Sequence, residues 1–171
     1  MRFLIVSDIH GRYERLVKLI DAQKGIDALI FLGDGLADLE RADAYSRGFG
    51  VFAVKGNCDS FSLRLRESAP EESVINLDGY RFLLMHGHTR GVKYGLTNAI
   101  YAAREREADI LLFGHTHECV EKYIPEGEEY SLDKPLRIFN PGSLGASGGG
   151  YGYFGLIEIR KNGILMSHGK I

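Results

Sequence analysis

Along the chain, near-continuous apolar runs alternate with stretches in which apolar residues recur at helical spacing. "RFLIVS" at 2–7 predicts a strand buried on both faces, and Tyr13, Leu16, Val17 and Ile20 predict a helix directly after it. "DALIFLGD" repeats the buried-strand pattern, Leu36, Leu39, Ala42 and Ala44 suggest a second helix, and "VFAVKGNCD" gives a third strand running into a polar loop. Three such steps imply a parallel sheet. From residue 73 the pattern changes: "SVINLDGYRFLLMHGH" reads as two strands joined at the Asp78-Gly79 turn. A helix over about 93–106, with Leu96, Ile100 and Ala103 on one side, leads to the buried run "DILLFG". "ECVEKYI", "LRIFNPG", "YFGLIEI" and "GILMSHG" follow as further strands, with Lys161-Asn162-Gly163 as a tight turn, so the second half is expected to be mostly antiparallel. No composition shift splits the chain, and one domain over 1–171 is expected, with 125–135 and 142–150 as candidate mobile loops.

The strand ends carry the unusual residues. "SDIH" follows the first strand, "GDG" the second, "GNCD" the third, "HGH" the hairpin and "GHTH" the next buried run, and five of the six histidines lie in these segments. In α/β sheets the carboxyl ends of strands open onto the crevice where ligands bind, so residues distant in sequence converge there. Carboxylate oxygens, imidazole nitrogens and an amide oxygen suit manganese, iron, nickel or zinc rather than an all-oxygen calcium cage. Asp8 and His10, like His115 and His117, stand two apart, which in extended backbone puts each pair on one side. Singly, each fragment has an ordinary reading: Asp8 as a helix cap, "GDG" as a turn, the histidines as solvated loop residues. Their joint occurrence at successive strand ends points to a metal centre.

These motifs resemble the calcineurin-like metallophosphoesterases, whose pattern is D-x-H, G-D, G-N-H-[DE], a histidine, then G-H-x-H. "GNCD", "HGH", "GHTH" and "NPGS" look specifically like the YfcE-type phosphodiesterases, and the likeness runs along essentially the whole chain. The resemblance implies an α/β fold: a four-layer sandwich of two mixed β-sheets flanked by helices. It implies two divalent metal ions, manganese first, with nickel, zinc, iron or magnesium as alternatives. One ion would take Asp8, His10, Asp34 and His117, and the other Asp34, Asn57, His86 and His115, with Asp34 as the bridge. A bridging water ionised near neutral pH would then attack phosphorus in a small phosphodiester, with Asp34, Asn57 and His88 counted among the catalytic groups. Cys58 stands where many members have histidine, so the leaving-group acid is open, with His88 a candidate or a hydrogen-bonding support; Cys58 itself reads more readily as a small buried hydrophobe.

Composition narrows the partners. With 21 Lys and Arg against 23 Asp and Glu, a net charge of -2 and no long basic run, an extended nucleic-acid surface is not expected. No run approaches the ~20 apolar residues of a membrane span, and the opening apolar run is too short for a signal peptide's core. Two cysteines make no disulfide framework, so a cytoplasmic location is expected, with Cys119 read as core. A homo-oligomer is compatible with this sequence and not specified by it. The alternatives are a phosphomonoesterase and a non-catalytic binding scaffold like the retromer subunit related to this family, since fold alone does not decide function. Smaller expectations concern Asp59, as orienter of the "GNC" loop or turn cap; "NPGS", as donor of groups near the site or simple turn; and His168, as a surface residue.

Overall fold

The computed structural model describes residues 1–59, 69–127, 129–145 and 150–171. One sheet contains β1 (Arg2–Val6), β2 (Ala28–Phe31), β3 (Gly50–Ala53), β9 (Tyr153–Arg160) and β10 (Gly163–Lys170), in the order β10-β9-β1-β2-β3. The other contains β4 (Glu72–Leu77), β5 (Tyr80–Met85), β6 (Ile110–Leu112), β7 (Cys119–Ile124) and β8 (Leu136–Pro141), in the order β4-β5-β6-β8-β7. The strands β1, β2 and β3 pair in parallel as expected. The strands of the second half pair mostly antiparallel as expected, β4 with β5, β7 with β8, β9 with β10 and β9 with β1, but β5 with β6 and β6 with β8 pair in parallel, so both sheets are mixed. Residues 146–149 of the glycine-rich stretch and Glu128 of the 125–135 loop lie outside the described residues.

Alternation along each strand explains the layers. Phe3 and Ile5 of β1 face the second sheet and share a core with Ile30, Phe82, Leu84, Leu112 and Phe139, while Leu4 and Val6 face the other way. Those outward residues pack with Leu16, Leu19, Leu36 and Leu39 of the helices α1 (Tyr13–Ala22) and α2 (Leu36–Arg41). On the far side, Leu83, Leu111 and Ile138 meet Ala99, Ile100 and Ala103 of α3 (Thr97–Glu105). The order is helix, sheet, sheet, helix, and strands covered on both faces need no polar residues, which is why they read as unbroken apolar runs. Phe3 and Phe82 meet edge to face across the sheets, centroids 5.9 Å apart, and each such buried ring contributes roughly 1.5–3 kcal/mol.

Two helices are shorter than their patterns. The second stops at Arg41 because Asp43 turns into the left-handed region (φ 50°), and Ala44 belongs to a separate short 3-10 turn. The third begins at Thr97 rather than 93, since Gly91 and Gly95 sit at φ 65° and 150°. Between the "HGH" segment and α3, Glu72 of β4 accepts hydrogen bonds from Arg90 Nε and Nη2 at 2.5 and 3.0 Å, and Arg106 Nη2 lies 2.8 Å away. The Arg90 hydrogen bonds hold the Glu72 carboxyl below its usual range, with Arg106 assisting and partial burial opposing. A depressed folded pKa gives stability that is present above the unfolded value and lost as pH falls through the folded one. Glu72→Gln is therefore expected to cost about 1 kcal/mol at neutral pH by denaturant titration, after discounting for partial exposure, with the deficit vanishing in acid.

Candidate metal centre

Every segment that the sequence singled out lies at the carboxyl end of its strand, on one edge of the sandwich. Asp8 and His10 follow β1, Asp34 follows β2, Asn57 and Cys58 follow β3, His86 and His88 follow β5, and His115 and His117 follow β6. Because β5 and β6 are parallel neighbours, their histidine segments emerge side by side. Donor atoms of Asp8, His10 and His117 lie within 4.8 Å of one another, and so do those of Asp34, His86 and His115. A third such group, His10, Asp34 and Cys58, links the two through Asp34. His115 and His117 therefore enter different clusters. Asn57 is exposed beside Asp34, its Nδ2 donating to Cys58 Sγ at 3.2 Å.

The backbone that achieves this is not the extended one the sequence suggested. Asp8, His10, Asp34, His115 and His117 all have positive φ, at 54°, 47°, 61°, 66° and 64°. Such a conformation costs on the order of 1–3 kcal/mol per non-glycine residue and persists where the surroundings enforce it, characteristically at functional sites. Close approach enforces it here: a Cβ at Gly56 would overlap Asp34 Oδ1, and one at Gly114 would overlap Ser7 Oγ.

Asp59 supplies much of that enforcement. It is buried, and its carboxylate accepts the N–H groups of Asp34 (2.8 Å), Gly35 (2.7 Å), Leu36 (2.8 Å) and Gly56 (2.7 Å). It thus joins the "GDG" and "GNCD" loops and caps α2, so both roles weighed from sequence are present in one side chain. "NPGS" does comparable work from β8. Asn140 Nδ2 donates to the Gly114 carbonyl and Thr116 Oγ1, both at 3.0 Å, and Ser143 Oγ donates to the Asp8 carbonyl at 2.9 Å. His168 is exposed as expected, yet its Nε2 lies 2.8 Å from the Asn140 carbonyl and its ring stacks on Phe139.

Asp8 Oδ2 takes the Ser7 hydroxyl at 2.6 Å and the His115 N–H at 3.1 Å, while Oδ1 is buried without a hydrogen-bond partner among the described residues. Burial would raise this carboxyl's pKa, but His10, His117, His86 and Ser7 together hold it far below the usual range. Asp34 is likewise opposed by burial yet lowered to about 2 by His86 and the Cys58 N–H. His86 Nδ1 lies 2.7 Å from the Leu32 carbonyl, a contact that requires an N–H there and leaves Nε2 as the free lone pair in the neutral ring. Burial works against protonation of His86, but Asp34 and Asp8 raise its pKa; His115, 3.1 Å away, is pushed down to about 4 by burial and by His86. Asp8 raises His10, with burial opposing. His88 sits beside the second cluster, 5.4 Å from the His86 ring, its Nδ1 buried without a hydrogen-bond partner among the described residues and its pKa lowered by burial and His86.

This donor set fits divalent cations. His10 and His117 Nε2 stand 3.2 Å apart, and His115 Nδ1 and His86 Nε2 stand 3.1 Å apart. Two nitrogens bound to one ion at about 2.0–2.1 Å with angles between square and tetrahedral are separated by roughly 2.8–3.4 Å. The unpartnered Asp8 Oδ1 lies 3.1 Å from His117 Nε2, so acceptors converge where only a cation or protons would relieve them.

Three placements differ from the sequence reading or were missed by it. Cys58 and Cys119 are exposed rather than core, because one sits on the site loop and the other starts the edge strand β7. Asp38 gave no sequence signal beyond an acidic residue in a helix's first turn. It is nevertheless buried, accepting the Gly11 N–H at 2.8 Å, and burial raises its pKa.

The paired sheets and the shared-aspartate clusters define a metallophosphoesterase fold with its donors in place. The chain belongs to the calcineurin-like phosphoesterase superfamily, whose domain model matches residues 1–162. It is 34% identical over 145 residues to the probable metallophosphoesterase YsnB of Bacillus subtilis strain 168, covering 84% of this chain and 75% of that one. Among solved structures it resembles an archaeal phosphodiesterase (TM-score 0.75, 22% identity, all of both chains). It also resembles wild-type Vps29 of Entamoeba histolytica in complex with zinc (TM-score 0.68, 21% identity, 99% of each chain). At these identities the two structures share the fold. Among the described residues, no helix is long and apolar enough to cross a membrane.

Proposed function

We propose that the protein is a phosphodiesterase acting on small phosphodiesters at a dinuclear centre, in the cytoplasm. The observation that carries this reading is the convergence of two donor clusters on Asp34, the arrangement a two-ion site needs to keep its cations apart yet neutralised. One ion is assigned to Asp8, His10, Asp34 and His117, the other to Asp34, Asn57, His86 and His115, with manganese the first candidate. Such ions supply Lewis acidity to phosphoryl oxygens and acidify a water nucleophile.

The residues do the remaining work. The Leu32 carbonyl fixes His86 with Nε2 toward the centre, the nitrogen where an ion would displace the proton that Asp34 and Asp8 favour, and His115 stays unprotonated at neutral pH with its lone pair free. His88, its ring 5.4 Å from that of His86 beside the second cluster, is the candidate to donate to a phosphoryl oxygen. Cys58, exposed on its loop but partly desolvated there, has its thiol pushed up to about 11 by that desolvation and by Asp34, which makes it a poor acid for the leaving group and favours esters with good leaving groups. The slightly acidic chain favours small substrates over an extended nucleic acid.

A non-catalytic scaffold of the Vps29 kind would not need all seven donors, and here each of the seven positions keeps one. Metal-stripped protein assayed on bis(4-nitrophenyl) phosphate and 4-nitrophenyl phosphate, with manganese, nickel, zinc or magnesium added back, tests the reading. Metal-restored turnover that favours the diester is the expected result. Preference for the monoester would select a phosphomonoesterase, and absence of turnover with every metal would favour the scaffold.

A further inference from the structure

A cavity of about 200 Å³ opens directly beside the donor clusters, with His10, Asp34 and Cys58 on its inner wall. Its outer wall is the first turn and a half of α2 together with Gly11. The wall is shaped by small residues: Gly11, Gly35 and the half-buried Ala37 leave the space that larger side chains would fill. Arg41 closes the far side, its guanidinium 5.8 Å from the centre of the Tyr13 ring. Asp38, buried at the base, is held in place by the Gly11 N–H.

Resting on the phosphodiesterase reading, we infer that this cavity is the subsite for the ester arm that is retained, and that it selects an uncharged single ring. Size is the first reason: a cavity of roughly 150 Å³ accommodates benzene, so this volume takes one ring and little more. Charge is the second. A departing oxide is anionic, and the lining sets the three carboxyl groups of Asp34, Asp38 and Asp59 against the single guanidinium of Arg41, a balance that opposes an anion, whereas a retained ester arm carries no charge. The third is the Arg41 guanidinium, a planar cation able to lie against a ring face. Ala37 and Arg41 are then specificity determinants that touch the substrate arm and leave the metal donors alone.

The test uses substrates sharing a 4-nitrophenyl leaving group and differing in the other arm, methyl against phenyl, with metal-restored protein. Ala37→Leu is expected to raise KM for the phenyl arm by about tenfold while the methyl arm changes by less than about twofold, kcat staying near wild type. Arg41→Ala is expected to raise KM for the phenyl arm alone by about threefold. Equilibrium binding of diphenyl phosphate against dimethyl phosphate to the same proteins gives a readout without turnover, and circular dichroism checks that Ala37→Leu is folded, with Ala37→Val as the milder variant. If the wild type turns over neither substrate yet binding of diphenyl phosphate weakens in Ala37→Leu, the diesterase reading falls and the subsite stands. If turnover proceeds and Ala37→Leu alters both arms equally or neither, the subsite falls and the diesterase reading stands.

Discussion

Replacing Asp34 with alanine is expected to lower kcat/KM for bis(4-nitrophenyl) phosphate by on the order of 10³-fold or more, since several kcal/mol of transition-state stabilisation are lost at about 1.4 kcal/mol per tenfold. Asp34 is the carboxylate placed with both clusters: Oδ2 lies 3.4 Å from His86 Nε2 and 4.0 Å from His10 Nε2, and Oδ1 accepts the Cys58 N–H at 2.7 Å. Asp34→Asn isolates charge from shape, because asparagine tolerates the same left-handed backbone. Bound metal measured by elemental analysis should fall along with activity in both variants. Full turnover by Asp34→Ala would remove the dinuclear mechanism outright, whatever the fate of the other ligands.

Asp59 carries the second large effect, and it acts without supplying a ligand atom to either cluster. Four N–H groups converge on its carboxylate, from the loops that hold Asp34 and Asn57 and from the first residue of α2. Asp59→Asn keeps the size but turns an N–H₂ toward donors, leaving at least one buried donor unsatisfied at about 1–3 kcal/mol. Denaturant titration should therefore show a loss of roughly 3 kcal/mol, and metal affinity should weaken by about 10–100-fold as the two loops lose register. Asp59→Glu separates charge from reach: it should recover little, because the longer side chain cannot meet four donors fixed in space. Wild-type metal affinity in Asp59→Asn would mean that the loops hold their shape without it.

The layers and the site segments were legible from the sequence because they rest on local signals. Doubly covered strands such as β1 and β2 have no choice but to be apolar throughout, and polar, glycine-flanked residues at their ends stand out against that background. The parallel placement of β8 beside β6 was less visible, since β7 precedes it in the chain and a hairpin alone does not say which arm lies inside. The contrast between polar "CVEKYI" and apolar "LRIFNP" carried that information: the exposed arm is the edge, and the buried arm is interior. The left-handed backbone at five donor residues had no sequence signature; at Asp34 and Asp8 it goes with the close approach of Gly56, Gly114 and Gly145, which come from elsewhere in the chain. Asp38 was illegible for a related reason. Its burial depends on how α2 docks against Gly11, and the residue types around it do not distinguish that from a solvated helix start. Cys58 and Cys119 were misread because small size suggested core where position put them at a loop and an edge.

The pairing of β1 with β9 joins Arg2 to Glu158 and Ile5 to Gly155, across nearly the whole chain. As the polypeptide is synthesised, β1 can find β2 early but must wait for β9 with one edge bare, and closing so long a loop is slow. Meanwhile an apolar strand with an open edge is a template for other chains. The Asp8 carbonyl is propped by the Ser143 hydroxyl and the Gly145 N–H, on the segment that leads into β9 of that same late-closing seam. The props on Asp8 therefore belong to a seam expected to close late, and a chain able to hold an ion at Asp8 would be one whose final strands are already in place.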